Sequence, residues 1–527
     1  MKAPINVRLC VVACERNVSD LLRTRAGAAA QADMIELRLD CLSGLSSASS
    51  LDEILDRLLQ TESLPVIVTL RSPEQGGQNL MDRNERLAFW RSVLGRLMSS
   101  KNVLVDVEAD IITELADQED VAAVIDWMRV ICSFHDFDSQ PPELNAVHDQ
   151  LAAGPAGIVK IAVQADDLID CLPLFQLLER ARGEGREMIA IAMGQAGIAT
   201  RILGPSRGAF LTYGSVDDET ATAPGQLTAR ELRDTYHIDD INRDTEIFGL
   251  MGRPVSHSVS PHFQNAAFQA TGLNAVYIPF DTGDAAAFMR RMVHPQSREI
   301  DWKLRGLSVT APHKSAVMPH LNWIDPVAKE IGAVNTIVIE ADGLRGYNFD
   351  AAAFIAPLRT ALGPLSNLSC AIVGAGGAAR TAVWSLLQEG ADVSLLARDP
   401  TSAAPMVKAF GVECNQLKGA SLRDFDVVIN ATPVGTSGEH QNETIADAGQ
   451  LAGVRLVYDL VYNPQQTRLL GEAASAGCIT LGGLEMLLAQ AAKQFELWTG
   501  KDAPLNVMRE AAIQALDQGG VSRRIDG

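Results

Sequence analysis

The first 236 residues or so repeat one pattern, in which a short apolar segment is followed by a stretch with helical spacing. Such alternation is typical of a parallel sheet, and eight repeats in a segment of this length favour a closed (β/α)₈ TIM barrel over an open sheet. We predict strands at residues 7–13, 34–38, 65–70, 102–106, 129–133, 158–163, 187–193 and 209–213. The amphipathic stretches predicted as helices include residues 51–60, 83–98 and 168–182.

Polar residues stand near the C-terminal ends of these strands, which a barrel brings to one face. They are Glu36, Arg38, Arg71, Glu108, His135, Lys160 and Arg201. Desolvation and neighbouring arginines would favour a neutral Lys160 amine that attacks a ketone. His135 could then move a proton next to the iminium, with Glu108 or Asp136 orienting the ring. The pattern indicates a Schiff-base dehydratase, although either residue alone is more often a surface or structural group.

A glycine-rich loop follows a predicted strand in the second half of the chain. Residues 374–379 read Gly-Ala-Gly-Gly-Ala-Ala, after the apolar residues 370–373 and before a helical run. This context fits the dinucleotide fingerprint, in which glycines let backbone amides approach a pyrophosphate at a helix N-terminus. After the next predicted strand, Arg398 suits the 2′-phosphate of NADP, whereas Asp399 would repel it. We therefore predict a modest preference for NADP.

A lysine and an aspartate precede this loop and could serve the same reaction. Hydride transfer to a ketone needs a proton donor beside the developing alkoxide and a partner that sets the donor's charge. Lys314 with Asp350 would supply such a pair. Their distance in the sequence leaves open that they are two unrelated surface charges.

Composition excludes several classes of partner. The net charge of −20 and the pI near 4.9 disfavour nucleic acid and anionic membranes, although a local arginine cluster can still bind a small anion. No uncharged run approaches the length of a membrane helix, so we expect a soluble cytoplasmic protein. The eight scattered cysteines favour reduced thiols, including Cys10 and Cys14, and no metal site is predicted.

Strings of residues across the first half closely resemble type I 3-dehydroquinate dehydratases. They are residues 35–40, 69–72, 106–108, 133–137, 159–162, 193–194, 200–201 and 223–226. The resemblance implies that Lys160 forms a Schiff base with the substrate ketone and that His135 is the general acid and base. It also implies a set of substrate-binding side chains, namely Glu36, Arg38, Arg71, Arg201, Thr222 and Gln226.

One position departs from that family's pattern. The family usually has a glutamate directly before a Gly-Gly pair, where this chain has Gln75 before Gly76 and Gly77, with Glu74 one residue earlier. The acidic residue is thought to help orient the histidine. Its loss could slow dehydration, or Glu74 could replace it through a shifted loop.

The remaining chain resembles shikimate dehydrogenases in residues 253–261, 306–314, 332–336, 346–350, 430–433, 458–464 and 483–490. By this resemblance Lys314 is the catalytic lysine, paired with Asp350, and Ser258 and Ser260 bind the substrate carboxylate. Other implied substrate-binding residues are Thr310, Asn335, Tyr462 and Gln490. The residues implied for NADP(H) are Gly374, Ala375, Gly376, Gly377, Ala378, Arg398, Thr432 and Gly483.

Phe349 departs from this second pattern, because the family usually has a threonine immediately before the aspartate. A bulky ring would remove a hydroxyl from the pocket and could change the preference between shikimate, quinate and a related ring. The ring could equally be turned into the core without effect.

These patterns together predict a fused bifunctional enzyme of aromatic biosynthesis with three domains. We predict a dehydratase barrel at residues 1–238, a substrate-binding α/β domain at residues 245–362 and a Rossmann NADP-binding domain at residues 363–517, whose C-terminal helices return to the substrate domain. One alternative is a dehydrogenase with an impaired barrel. The other is a non-enzymatic sensor of quinate, which would be expected to have lost the catalytic residues kept here.

Overall fold

The structure is a computed structural model that describes residues 8–43, 54–57, 64–217, 220–256, 258–438 and 440–519. The chain divides into two compact units. One comprises Met1–Thr245 with Ile278–Asp284 and Glu299–Lys303, and the other comprises the rest. The three domain boundaries predicted from the sequence remain a prediction. In the part of the chain that is described, no helix is long and apolar enough to cross a membrane.

Eight parallel strands form the sheet of the first unit. They are β1 (Leu9–Ala13), β2 (Met34–Arg38), β3 (Val66–Thr69), β4 (Val103–Glu108), β5 (Val130–Asp136), β6 (Ile158–Gln164), β7 (Glu187–Met193) and β8 (Thr212–Gly214). Each pairs with the next in sequence up to β7, and β8 pairs with β1. A parallel bridge between Met188 and Ala209 links β7 to the residues just before β8. The predicted (β/α)₈ barrel is confirmed.

The helices that follow these strands are α1 (Val18–Ala28), α2 (Arg83–Ser99), α3 (Ala109–Ala116), α4 (Glu119–Ala122), α5 (Leu144–Ala152), α6 (Cys171–Gly183), α7 (Ile198–Arg207) and α8 (Ala229–Asp234). The sequence sets the start of α2, where Asp82 and Glu85 form a reciprocal capping box. The predictions at residues 83–98 and 168–182 are confirmed. The helix predicted at residues 51–60 lies mostly outside the described residues, of which 54–57 are helical.

Both apolar and charged side chains of the barrel strands are buried. Side chains such as Ile67, Ile131 and Ile189 form an apolar cluster of buried residues. Charged side chains, among them Asp106 and Lys160, are also buried. Burying an unpaired charge is costly, so these charged side chains depend on pairing with one another.

One cysteine prediction is wrong. Cys14, predicted to be a reduced thiol, is joined to Cys41 by a disulfide with Cα atoms 5.3 Å apart. The spacing in the sequence gave no sign of this pair, because it is the fold that brings the residue after β1 next to the end of the 3₁₀ turn Leu39–Cys41, which follows β2. The other six cysteines are free.

The second half begins with a six-stranded sheet of β9 (Glu246–Gly252), β10 (Ala275–Asp281), β11 (Leu304–Val309), β12 (Trp323–Ile324), β13 (Thr336–Glu340) and β14 (Gly343–Tyr347). The strand order is β10-β9-β11-β13-β14-β12. The sheet is mixed, because β13 runs antiparallel to both β11 and β14. Its helices are α9 (Ser260–Ala270), α10 (Ala285–Phe288) and α11 (Pro326–Ile331).

A second six-stranded sheet follows, and all of its strands are parallel. It contains β15 (Ser369–Val373), β16 (Asp392–Ala397), β17 (Glu413–Gln416), β18 (Val427–Asn430), β19 (Leu456–Asp459) and β20 (Ile479–Leu481), in the order β17-β16-β15-β18-β19-β20. Its helices are α12 (Asp350–Leu362), α13 (Gly377–Gln388), α14 (Ala404–Phe410) and α15 (Arg468–Ser475). The order reverses beside β15, which is where open α/β sheets bind nucleotides.

Two helices end the described chain, α16 (Leu484–Thr499) and α17 (Leu505–Gly519). Phe495 of α16 and Met508 of α17 join a buried cluster with Phe248 of the mixed sheet and Phe263 of its helix α9. Met486, near the start of α16, packs instead in the core of the nucleotide sheet. The chain therefore returns to the mixed sheet after completing the nucleotide sheet.

Candidate active sites

Lys160 lies in β6 with its side chain inside the barrel, where it is buried. Its Nζ lies 2.9 Å from Asp106 Oδ2, 3.3 Å from Glu36 Oε2 and 3.0 Å from Tyr213 Oη. The three partners come from β4, β2 and β8, so the closed barrel is needed to assemble them. Among these partners the sequence predicted only Glu36.

The predicted surroundings of Lys160 need a correction, because carboxylates and not arginines are its nearest charged neighbours. Arg38 is turned towards Asp40, with Nε and Nη2 each 2.8 Å from a carboxylate oxygen. Arg71 donates to Asp106 Oδ2 at 2.9 Å. A carboxylate therefore already balances the charge of each guanidinium. The spacing of residues along the strands could not reveal these pairings.

Asp106 connects Lys160 to Arg71 and Ser133. Burial opposes ionisation of this carboxyl, but Arg71 and Lys160 beside it hold its pKa well below the usual value. Ser133 Oγ donates to Asp106 Oδ1 at 2.5 Å and accepts from Arg71 Nη1 at 2.8 Å. Asp106 could have been found from the alternation of side chains along a strand, since it shares the face of Glu108 in β4.

His135 is buried at the end of β5. Burial, together with the nearby Arg71 and Lys160, lowers its pKa well below 6.5. The imidazole is therefore neutral at neutral pH and can accept a proton.

The orienting group of His135 differs from both residues predicted. Gln75 Oε1 lies 3.3 Å from His135 Nδ1 and accepts the backbone N–H of His135 at 2.9 Å. Glu108 instead accepts the N–H of Ser72 at 2.9 Å, and Asp136 accepts the N–H of Ser139 at 2.9 Å. The amide of Gln75 thus occupies the orienting position, while Glu74 is exposed.

Replacing Gln75 with glutamate is expected to move the acid limb of the dehydration profile to higher pH by about one unit or more. A carboxylate beside Nδ1 would favour the imidazolium, so the pKa of His135 would rise and the neutral base would be lost sooner on acidification. The pH dependence of kcat/KM for dehydration measures this. The same change at the exposed Gln78 is the matched control, and an unshifted limb in Gln75→Glu would contradict the contact.

Arg201 has the features of an anion site. It lies in α7, is 2% exposed, and burial lowers its pKa to about 10. Among the described residues its Nε and Nη2 have no hydrogen-bond partner. A buried guanidinium with free donors fits a substrate carboxylate. The predicted Gln226 and Thr222 contact each other, with Gln226 Oε1 accepting the Thr222 N–H at 2.8 Å.

In the second unit, Lys314 and Asp350 form a close pair. Lys314 Nζ lies 2.6 Å from Asp350 Oδ2, and Asn335 Nδ2 donates to the other carboxylate oxygen at 2.8 Å. The same Asn335 Nδ2 lies 3.3 Å from Gln490 Oε1. The structure therefore brings four predicted residues together from segments far apart in the sequence.

The residues predicted to bind the second substrate's carboxylate lie near the start of α9. Ser258 Oγ accepts the backbone N–H of Ser260 at 3.2 Å. Burial raises the pKa of Tyr462, and a hydrogen bond to Ser258 partly offsets this rise. Thr310 follows β11, and its methyl group would collide with a Cβ at position 252, so Gly252 keeps this approach open.

The glycine-rich loop joins β15 to α13 and has the backbone required for close approach. Gly374 has φ +127°, where a side chain would be strained, and a Cβ there would lie 2.9 Å from the Ala431 carbonyl oxygen. Gly376 precedes the first turn of α13, and a Cβ there would meet nothing within 4 Å. This open space beside unpaired helical N–H groups fits a pyrophosphate. The loop also contains the predicted Ala375, Gly377 and Ala378.

The loop adjoins the lysine–aspartate pair, because a Cβ at Gly377 would lie 3.1 Å from Lys314 Cδ. Arg398 is exposed just after β16, while the Asp399 carboxylate accepts the N–H of Thr401 at 3.0 Å. The hydrogen bonds that Thr401 donates to this carboxylate lower the pKa of Asp399. Asp399 is thus occupied by its own turn and Arg398 is available to a 2′-phosphate.

The last two residues predicted to bind the nucleotide, Thr432 and Gly483, lie in loops that follow strands of the same sheet. Thr432 Oγ1 donates to Asn430 Oδ1 at 2.6 Å, which fixes the turn after β18. Gly483 leaves no room for a side chain, because a Cβ there would collide with the Leu460 carbonyl oxygen. No group of three or more histidine, cysteine, aspartate or glutamate side chains that could hold a metal ion occurs in the described ranges.

A buried lysine and histidine in a barrel, followed by a lysine–aspartate pair beside a dinucleotide loop, define a fused lyase and NADP-dependent oxidoreductase. Comparisons with known families agree. Type I 3-dehydroquinase matches residues 9–243, and the shikimate dehydrogenase substrate binding domain matches residues 250–337. A putative NAD(P)-binding family matches residues 363–460, and the shikimate 5′-dehydrogenase C-terminal domain matches residues 483–513.

The chain belongs to the family of bifunctional 3-dehydroquinate dehydratase/shikimate dehydrogenases. The chloroplastic bifunctional protein of Arabidopsis thaliana is 33% identical over 498 residues, which cover 90% of this chain and 78% of that protein. The shikimate dehydrogenase (NADP(+)) of Methanopyrus kandleri is 39% identical over 52% of this chain and 98% of its own length. A solved dehydroquinate dehydratase and shikimate dehydrogenase from S. pombe is 25% identical, covers 96% of this chain and 98% of its own, and has a TM-score of 0.40.

Proposed function

We propose that Lys160 and His135 carry out the dehydration of 3-dehydroquinate and that Lys314 and Asp350 carry out the reduction of the product to shikimate. The observation that carries this proposal is that the fold brings the members of each pair to neighbouring positions. His135 of β5 and Lys160 of β6 lie on adjacent strands, and Lys314 Nζ lies 2.6 Å from Asp350. The residues predicted for the same reaction therefore lie near one another.

In the first site the Lys160 amine adds to the substrate ketone, and loss of water from the adduct forms an iminium. Neutral His135 removes a proton from the adjacent carbon, and the electron pair moves towards the iminium nitrogen to form an enamine. The enamine expels the hydroxyl β to the nitrogen-bearing carbon as His135 returns its proton, so this group leaves as water. Hydrolysis of the product iminium frees 3-dehydroshikimate and the amine.

In this site Arg201 binds the substrate carboxylate through its unpaired Nε and Nη2. The buried cation has little solvent to compete with such a ligand, which strengthens the interaction. Glu36, Arg38, Arg71, Thr222 and Gln226 are the other substrate-binding residues we propose. Asp106, which the sequence predictions omitted, holds Lys160 and Arg71 in place.

In the second site Lys314 gives a proton to the ketone oxygen as that oxygen becomes a hydroxyl. Asp350 keeps the ammonium oriented, and Asn335 fixes the carboxylate through its other oxygen. NADPH, when bound, supplies the hydride. Residues 374–378, with Arg398, Thr432 and Gly483, would hold it. Ser258, Ser260, Thr310, Tyr462 and Gln490 would bind the substrate.

A coupled assay on the purified full chain tests the proposal. With 3-dehydroquinate and NADPH, we expect the enone product to form and NADPH to be consumed only when 3-dehydroquinate is present. If added 3-dehydroshikimate is reduced but 3-dehydroquinate is not, the barrel is impaired. If neither ketone reacts, the assignment fails. The impaired-barrel and sensor alternatives are not favoured, because both domains match enzyme families and all four proposed catalytic residues are present.

We propose a cytoplasmic enzyme that binds small anionic metabolites and neither nucleic acid nor membranes. The net charge of −20 supports this, and so do the six free cysteines, although the disulfide between Cys14 and Cys41 is unusual for a reducing compartment. The Arabidopsis relative is described as chloroplastic.

Replacing Phe349 with threonine is expected to increase the preference for shikimate over quinate about tenfold, the effect of one hydrogen bond of about 1.4 kcal/mol. The ring is half-buried and stacks on Tyr347 at 6.0 Å, so it is not part of the core. Oxidation of both substrates with NADP⁺ gives the ratio of the two kcat/KM values. Tyr347→Phe, which keeps the stacked ring, is the control, and an unchanged ratio in Phe349→Thr would remove Phe349 from substrate selection.

A further inference from the structure

Tyr213 is a buried residue that contacts the proposed Schiff-base lysine. It lies in the short strand β8 and is 5% exposed. Its hydroxyl lies 3.0 Å from Lys160 Nζ, which is also 4.6 Å from the centre of the tyrosine ring. Neither the predicted site nor the resemblance to known enzymes assigned this residue a role. The contact becomes visible only when β8 pairs with β1 and completes this side of the barrel.

The three contacts of Lys160 differ in what they can do with a proton. An ammonium group has three N–H donors, and here they face Asp106, Glu36 and Tyr213. Asp106 is a poor proton acceptor, because Arg71 and Lys160 hold its pKa well below the usual value. Glu36 makes the longest of the three contacts, at 3.3 Å.

Tyr213 and Glu36 both contact Lys160 Nζ. Burial, followed by the negative charge of Glu36, raises the pKa of the Tyr213 hydroxyl well above 10. The hydroxyl is therefore neutral, and it accepts a hydrogen bond from Nζ while it keeps a proton of its own. A neutral hydroxyl in this position can accept one proton while it gives up another.

We propose that the Tyr213 hydroxyl is a catalytic group of the dehydratase that relays a proton from the Lys160 ammonium to Glu36. The Nζ–H bond breaks as a new O–H bond forms on Tyr213, and the original tyrosine proton passes to a Glu36 oxygen. The net change turns an ammonium and a carboxylate into an amine and a carboxylic acid, while the tyrosine is unchanged. Rotation about Cε–Nζ to the next staggered position then presents the nitrogen lone pair to the substrate ketone.

This proposal rests on the proposed Schiff base at Lys160, and it explains how an amine surrounded by carboxylates becomes a nucleophile. The reverse relay returns the proton when the product iminium has been hydrolysed and the amine is released. The charged and titratable groups that face Lys160 and Tyr213 are Cys10 from β1, Glu36 from β2, Arg71 just after β3, Asp106 from β4, His135 from β5 and Arg201 from α7. All of them remain in a variant that lacks only the hydroxyl.

Tyr213→Phe in the full chain is the test, because it keeps the buried ring against Lys160. We expect kcat for dehydration to fall about 100-fold, the lower end of the range for a positioned proton-transfer group, with KM little changed. The rate of borohydride trapping of the substrate at Lys160 should fall in parallel, while its final extent stays the same.

Two controls separate this role from a structural one. Reduction of 3-dehydroshikimate by the same protein should stay at the wild-type rate. Tyr458→Phe removes another buried tyrosine hydroxyl, one without a hydrogen-bond partner among the described residues, and should leave dehydration unchanged. Glu36→Gln, which removes the proton acceptor, should reproduce the slow trapping.

The outcomes are distinct. A wild-type kcat and trapping rate in Tyr213→Phe would overturn the relay. A lower kcat with an unchanged trapping rate would also overturn it, because the hydroxyl would then contribute only to packing. If borohydride traps no substrate at Lys160 in the wild-type protein, it is the proposed Schiff base that fails.

Discussion

Replacing Lys160 with alanine is expected to lower the rate of dehydration of 3-dehydroquinate by at least about 10⁴-fold, the scale seen when a covalent nucleophile is removed. The substrate would lose the nitrogen that becomes the electron sink, so His135 could no longer remove a carbon-bound proton at a useful rate. Reduction of 3-dehydroshikimate should stay at the wild-type rate. The coupled assay would therefore show no NADPH consumption with 3-dehydroquinate and normal consumption with 3-dehydroshikimate.

The control for this variant must address stability as well as activity. Lys160 is buried between Asp106 and Glu36, and removing one partner from a buried charge cluster costs about 3–5 kcal/mol. Lys160→Met fills the space of the side chain and should lose dehydration to the same extent with a smaller cavity. Thermal unfolding of both variants distinguishes loss of chemistry from loss of fold. Substantial dehydration in a folded Lys160→Met protein would exclude covalent catalysis at this residue.

Replacing Lys314 with methionine is expected to lower kcat for reduction by about 10² to 10⁴-fold, the contribution of a positioned general acid. The aliphatic part of Lys314 lies beside Gly377, so methionine keeps that packing and removes the proton donor. KM for NADPH should change little, and dehydration by the same protein should be unaffected. Steady-state kinetics with 3-dehydroshikimate and NADPH give both parameters.

A matched control for this change is available in the same unit. Lys493 is exposed on α16 and pairs with Glu496, so Lys493→Met removes a lysine without touching the pair formed by Lys314 and Asp350. It should reduce 3-dehydroshikimate at the wild-type rate. If Lys314→Met is as active as Lys493→Met, Lys314 is not the proton donor. A rise in KM for NADPH with normal kcat would instead place Lys314 in cofactor binding.

Local patterns in the sequence determined the barrel strands and the nucleotide loop. All eight barrel strands were predicted, and β2 and β7 begin and end at the predicted residues. This succeeded because strands buried on both faces are near-continuous apolar runs, which the sequence displays directly. The start of α13 was equally local, since a glycine loop between a strand and a helix carries its own signal.

Contacts between strands were decided by the tertiary structure. The sequence predicted Lys160 and His135 but not Asp106 or Tyr213 beside the amine. It offered Glu108 or Asp136 as the group that orients His135, whereas the contact comes from Gln75, the position at which the family's acidic residue was expected. The disulfide between Cys14 and Cys41 was missed for the same reason. Periodicity tells which face of a strand a side chain occupies, whereas its neighbours depend on how each strand is aligned with the others in the closed barrel. The chemistry of Lys160 depends on those neighbours, and they come together only through pairings between residues far apart in the chain.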